Sequence, residues 1–302
     1  MTAAAIYAEL DSGATQVADQ VVQWRHQLHR HPELSNRESN TAAFITDHLR
    51  SLNLDEVRTG IAGHGIAAVL RGGMGGDRMI ALRADIDALP VRDLSGVDFA
   101  SKVVDNDYPG GPFPVSHACG HDCHTAMLIG AASVPTGVRD QLPGTALFVF
   151  QPAEEGPPVG EEGGAKQMLA EGAPAQAYNC SATAEYRQDV PAVHNTEEWI
   201  TAALPTFQRV AGADKVIPTI PTLGYDDVSE LVDKFGGRYV TLGVQDSGVD
   251  PKTGMPVPIP GGRGMAMNHN PHFCADDGPL LTGVRLHAHV AYDHLSGLLV
   301  PK

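Results

Sequence analysis

The 302-residue chain is poor in cysteine, with four, in aromatic residues, at 6%, and in positive charge. Cys119, Cys123, Cys180 and Cys274 are too few and too scattered for a disulfide framework, so a reduced, cytoplasmic setting is expected. Against 36 Asp and Glu stand 21 Lys and Arg, a net charge of −15, which argues against nucleic acid or an anionic membrane as partner. No stretch approaches the roughly 20 consecutive apolar residues that span a bilayer. The opening MTAAAIYAELDSG lacks the basic and apolar segments of a secretory leader.

What is present is an ordinary globular composition, 42% hydrophobic, long enough to bury a substantial core. Val17, Val21, Trp24 and Leu28 recur at helical spacing, and that helix should stop near Pro32. A second helix carries Phe44, Ile45, His48, Leu49 and Leu52 on one side. Gly65–Leu70, Met79–Arg83 and Thr145–Phe150 are short apolar runs bounded by Gly, Pro or Asp, and read as buried strands. A short helix around Ala165–Leu169 closes on Gly172. Asn195 has the look of an N-cap for a helix through Ile200, Leu204 and Phe207, with Pro205 kinking it. Val228, Leu231, Val232 and Phe235 form another helical set before Gly236, and Arg238–Leu242 is a further strand candidate. Gln245–Asn268 is a Gly- and Pro-rich loop, and Leu281, Val284, Ala288, Ala291 and Leu295 share one face of a last helix. Strands alternating with helices predict an α/β domain with a mostly parallel central sheet flanked by helices.

Fourteen histidines, several clustered, direct attention to metal ligands, although surface histidines are commoner. In SHACGHDCHTA, Cys119 and His121 stand two apart, so in an extended segment both would leave the same face. A thiolate beside an imidazole suits a borderline metal such as zinc; the plainer reading is a buried Cys119 and a surface His121. In LFVFQPAEEG an apolar strand ends in Glu154 and Glu155, where open α/β sheets place their ligands. Glu155 could ligate while Glu154 takes a proton, or the pair could be an exposed acidic turn. In ALRADIDALP, Asp85 or Asp87 could orient a ligand imidazole or cap a loop. In MNHNPHF, His269 sits in a polar turn far from the other three segments and means nothing alone.

Taken together and in this order, RADIDALP, HACGHDCHTA, FQPAEEG and NHNPHF resemble the M20 amidohydrolases, in particular the branch that cleaves N-acyl amino acids, hippurate-like compounds and amino-acid conjugates. WRHQLHRHPELSNRE (residues 24–38) and YDDVSELVDKFGGRYVTLG (residues 225–243) extend the likeness over nearly the whole chain. The resemblance implies a zinc-exopeptidase-like catalytic domain. It implies divalent metal (Zn, Mn or Ni; one or two ions) with Cys119 bridging, His121 and Glu155 on one side and His269 on the other. It assigns Glu154 as general base toward a metal-bound hydroxide, and Asp87, more than Asp85, as the orienting carboxylate.

The pattern breaks at MLAEGAPAQAYNCSATAEYRQDVPAVHN. There the family has a strand ending in Gly-Leu-His, a metal ligand, and then an inserted lid domain that holds an oxyanion histidine and the dimer surface. Here the helix runs almost directly into segments similar to the lid's exit, so the lid is expected to be absent near residues 177–181, leaving one catalytic domain over 1–302. Asn179, Cys180 or His194 might replace the lost ligand, and no spacing selects among them. The expected activity is metal-dependent hydrolysis of a small-molecule amide by a monomer or an oligomer of non-family type. The alternative is a catalytically weak or silent metal-binding relative that serves as a binding or scaffold protein.

Overall fold

A computed structural model of the chain describes residues 2–172, 192–218, 226–250 and 255–299. Helix α1 (Ala3–Arg30) begins where the Thr2 side chain accepts a hydrogen bond from the Ala5 N–H. It starts well before Val17, because Ile6, Leu10 and Ala14 continue the buried stripe of Val21 and Leu28. It ends just before Pro32, and α2 (Ser39–Arg50) then buries Ile45 and Leu49. Strands β1 (Glu56–Ile61) and β2 (Gly65–Arg71) form a hairpin, followed by β3 (Met79–Asp85) and a ribbon of β4 (Val104–Asp105) and β5 (Phe113–Pro114). Next come α3 (His121–Ser133), β6 (Thr145–Gln151) and α4 (Gly164–Ala170). The remaining elements are α5 (Glu197–Ala211), α6 (Ser229–Phe235), the hairpin β7 (Ser247–Val249) and β8 (Pro256–Pro258), and α7 (Leu280–Leu295).

The central sheet has the order β1-β2-β6-β3. The α/β class holds, but a mostly parallel sheet does not: among the described residues only β3 and β6 pair in parallel, while β1–β2 and β2–β6 are antiparallel. The tight turn after Ile61 forces β1 and β2 into a hairpin, and β6 enters between β2 and β3 running with β3 alone. Both faces of the central strands are covered. Ile66, Leu70, Phe148 and Phe150 face α1, α3 and α7, whereas Ala67, Val69, Leu147 and Val149 pack with Met168 of α4. Each fully buried Leu, Ile or Phe contributes roughly 1.5–3 kcal/mol relative to exposure.

Two expectations for the second half are corrected. Arg238–Leu242 is not a strand; no neighbouring strand pairs with it. Asn195 is not an N-cap, since Thr196 occupies that position; the Asn195 amide instead donates to Tyr239 O and accepts from Tyr239 N, both at 2.6 Å. One side chain thus stands in for the partner strand at Tyr239. The helix continues past Pro205 to Ala211, and the expected long loop contains the β7–β8 hairpin. The expected lid junction near 177–181, with Asn179 and Cys180, lies outside the described residues. Among those described, no helix is long and apolar enough to cross a membrane.

Candidate metal centre

Because β3 and β6 run in parallel with Asp85 opposite Gln151, their carboxyl ends deliver Asp85, Asp87, Glu154 and Glu155 to one place. The chain leaves β6 through Pro152 and Ala153, the latter at φ 51°, a left-handed conformation unusual for a residue with a Cβ. Three contacts hold it there: Ala153 N donates to Glu38 Oε1 (2.8 Å), Gly164 N to Ala153 O (3.1 Å), and Glu155 N to Asp87 Oδ2 (3.0 Å). Residue 164 must be glycine, since a Cβ would stand 1.5 Å from the Pro152 oxygen.

The first turn of α3 opens at the same end of the sheet. Cys119 and His121 are not on an extended segment, as their spacing suggested; Cys119 lies in a turn, Gly120 is left-handed at φ 93°, and His121 is the first helical residue. The two are brought together by this turn rather than by strand alternation. His269 arrives from the other half of the chain, its N–H donating to Ala118 O at 2.8 Å.

His121 Nε2 stands 3.6 Å from Asp85 Oδ1, 3.5 Å from Glu154 Oε2 and 3.6 Å from Glu155 Oε1. The other Glu155 oxygen is 3.3 Å from His269 Nε2. Nδ1 of His121 faces the Asp87 carbonyl (3.0 Å) and carboxylate (3.2 Å), and Asp87 also accepts from the Ser35 hydroxyl at 2.7 Å. Donor atoms of Cys119, Glu155 and His269 lie within 4.8 Å of one another, as do those of His121, Glu154 and Glu155, so Glu155 belongs to both groups. Tetrahedral ligands about 2.1 Å from a metal are roughly 3.4 Å apart, close to these separations. Glu155 Oε1 is buried with no hydrogen-bond partner, which an ion at this point would supply. The residues therefore fit a divalent metal.

Crowded carboxylates and burial set the protonation. Burial pushes the Glu154 carboxyl up to about 9, with Asp85, Asp226 and Glu155 adding to this against the pull of His121. Burial also raises Glu155, and it lifts the Cys119 thiol to about 11 although His121 acts to lower it. Asp85 is held well below the usual range: burial would raise it, and His121, His124 and Arg83 outweigh that.

Several participants were not singled out from the sequence. Arg83 binds Asp85 (2.8 Å), Gln151 (2.9 Å) and Asp227 (3.1 Å). Asp227 also accepts from Gln151 and from Ala165 N, and Asp226 and Asp227 approach Glu154 within 4.8 Å. The lone cation in the apolar strand ALRAD was the available signal, because a buried arginine requires acidic partners. Buried Glu38, its carboxyl pushed up to about 8 by burial and by Asp87, left no comparable trace. His194, considered as a replacement ligand, belongs to none of the donor groups formed by the described residues.

Thiol, imidazole and carboxylate donors gathered at this end of an α/β sheet are a set suited to a divalent metal. Residues 81–293 match Peptidase family M20/M25/M40, and the chain belongs to that family. An N-acyl-L-amino acid amidohydrolase of Geobacillus stearothermophilus is 41% identical over 157 residues, 52% of this chain and 38% of that protein. An N-acetyl-L-cysteine deacetylase of Bacillus subtilis is 42% identical over 136 residues, 45% of this chain and 30% of that protein. The chain thus spans about two fifths or less of these curated relatives. In fold it is similar to the Bacillus subtilis protein YXEP, described as a dinuclear metal binding peptidase from the M20 family. The TM-score is 0.69 at 22% identity, covering 93% of this chain and 99% of that one.

Proposed function

We propose that the chain is a metal-dependent hydrolase of linear amides in N-acyl amino acids or related conjugates, built as one catalytic domain without the family's lid. The observation that carries this is the convergence of Cys119, His121, Glu154, Glu155 and His269 from three distant segments. The kinship with an N-acyl-L-amino acid amidohydrolase and an N-acetyl-L-cysteine deacetylase supports the substrate class.

Cys119, His121, Glu155 and His269 would hold the metal, which is Zn, Mn or Ni. The chemistry supplied by a bound divalent ion is polarisation of the amide carbonyl and a lowered pKa for water. Asp87 accepts the Nδ1 proton of His121 and so keeps Nε2 turned toward the ligand group. Glu154, whose Oε2 stands 3.5 Å from His121 Nε2, would as the ionised carboxylate take a proton from the attacking water and return it to the leaving nitrogen. His269 is 54% exposed, in keeping with an open, wet site that binds substrate weakly. One ion should be held tightly, and without the lid's surface the chain should be monomeric or associate through a surface the family does not use.

The test is hydrolysis of a panel of N-acyl amino acids after loading with Zn²⁺, Mn²⁺ or Ni²⁺, with elemental analysis of the dialysed protein. Glu154→Gln should abolish hydrolysis and leave metal content unchanged. Hydrolysis that survives Glu154→Gln refutes the mechanism. A wild type that binds metal and cleaves nothing favours the silent metal-binding relative.

A further inference from the structure

Asp85 has no ligand role in the mechanism above, yet it closes β3 at 2% exposure with both oxygens engaged. Oδ2 accepts from Arg83 Nη1 at 2.8 Å, and Oδ1 faces Nδ1 of His124 at 2.7 Å. Arg83 is itself fixed by Gln151, Asp226 and Asp227. The Thr125 hydroxyl donates to the Asp85 carbonyl at 2.9 Å, tying the first turn of α3 to the strand end. His124 is therefore held at one ring nitrogen by a buried and immobilised carboxylate. Its side chain is nevertheless 43% exposed, and its ring lies alongside that of His121, with centroids 5.6 Å apart and planes at 29°.

An ionised carboxylate can only accept, so the hydrogen of a neutral His124 ring sits on Nδ1 and the lone pair on Nε2. Nε2 makes no hydrogen bond among the described residues. Among the described residues this nitrogen is an unclaimed acceptor, one ring away from the imidazole that faces Glu154. A purely structural partner for Asp85 has no need to present an unpaired nitrogen to solvent.

We propose that His124 Nε2 accepts the N–H of the scissile amide, with Asp85 and Arg83 as positioning residues behind it. The substrate class narrows accordingly to amides that carry an N–H at the bond to be cut. This rests on the amide-hydrolase reading above.

The experiment compares N-benzoylglycine with its oxygen ester, which has nearly the same shape and no N–H, on metal-loaded wild type and His124→Ala. Taking ratios between the two proteins cancels the intrinsic reactivity of the ester. His124→Ala should lower kcat/KM for the amide by about tenfold, the worth of one hydrogen bond, and leave the ester within about twofold. ¹⁵N spectra should show the Nδ1–H tautomer of His124 in the wild type. Equal losses on amide and ester, or a predominant Nε2–H tautomer, overturn the proposal while leaving the hydrolase reading intact. A wild type that cleaves neither substrate overturns that reading and this inference with it. Metal content and melting temperature of the variant separate loss of contact from loss of fold.

Discussion

His121 and Asp122 are neighbours in sequence but serve two buried polar clusters that differ in one respect. On the Asp122 side every carboxylate has a basic partner within the protein. Asp122 accepts from Arg25 Nε (3.0 Å) and His29 Nδ1 (2.8 Å), Arg25 continues to Asp277, and His29 Nε2 meets Asp93 at 3.0 Å. On the His121 side Asp85, Asp87, Glu154 and Glu155 crowd together, and both Glu155 Oε1 and Glu38 Oε2 lack a hydrogen-bond partner among the described residues. Buried His117, at the border, has both ring nitrogens unpaired and is pushed down to about 4 by burial. A cluster complete in itself supports the fold, whereas one short of positive charge is prepared to receive it.

The largest effect should come from removing the side chain shared by both donor groups. Glu155→Gln is expected to weaken metal binding about a thousandfold, near 4 kcal/mol, as read by calorimetric titration with Zn²⁺ or Mn²⁺. Unchanged affinity would place the ion elsewhere. In the matched cluster, Asp122→Asn should instead destabilise the fold by about 3 kcal/mol, since it leaves buried Arg25 and His29 short of a counter-ion. Urea unfolding would register this, and metal affinity should stay within about threefold. If Asp122→Asn strips the metal as Glu155→Gln does, the two clusters are not separate.

The matched cluster also has a pH signature. Burial would lower His29, but Asp122 and Asp93 outweigh it and raise the imidazole to about 9. A raised histidine adds stability that is fully present below its unfolded value, near 6.5, and lost as pH climbs through 9. The loss between pH 6.5 and 9.5 should be roughly 3 kcal/mol, measured by urea unfolding against His29→Gln, which should lack this component. The smallest effect belongs to Ser35, which holds Asp87 and through it His121. Ser35→Ala should reduce metal affinity by about tenfold, the low end of the range for groups behind a ligand.

Much of this was legible in the sequence, and the reasons are local. β2 and β6 stood out because helices on both sides demand continuous apolar runs. β1 did not, because EVRTGI lies at the sheet edge and keeps polar, partly exposed positions. Strand direction was misjudged because β6 inserts between β2 and β3, a matter of topology that composition does not record. The Cys119, His121, Glu154, Glu155 and His269 set was recognisable from residue chemistry and order of motifs. Pairings such as Arg83 with Asp227, 144 residues apart, or Glu38 with Ala153, were not, since nothing in either segment names its partner. The spacing argument for Cys119 and His121 rested on the wrong geometry, because it assumed extended backbone where Gly120 makes a turn.

The candidate ligands are not anchored alike. Glu155 lies just beyond the end of β6, a strand with neighbours on both sides, with its N–H tied to Asp87, whereas His269 is carried by a loop held to the site through its bond to Ala118 O. Amides of β6 should exchange with solvent only on global unfolding, and those of the loop through local opening. Ion release should accordingly follow the loop's opening rate, and the tightness of binding the rigidity of the sheet. Shortening the residence time of the ion without altering the stability of the domain would then require changes around residue 269 alone.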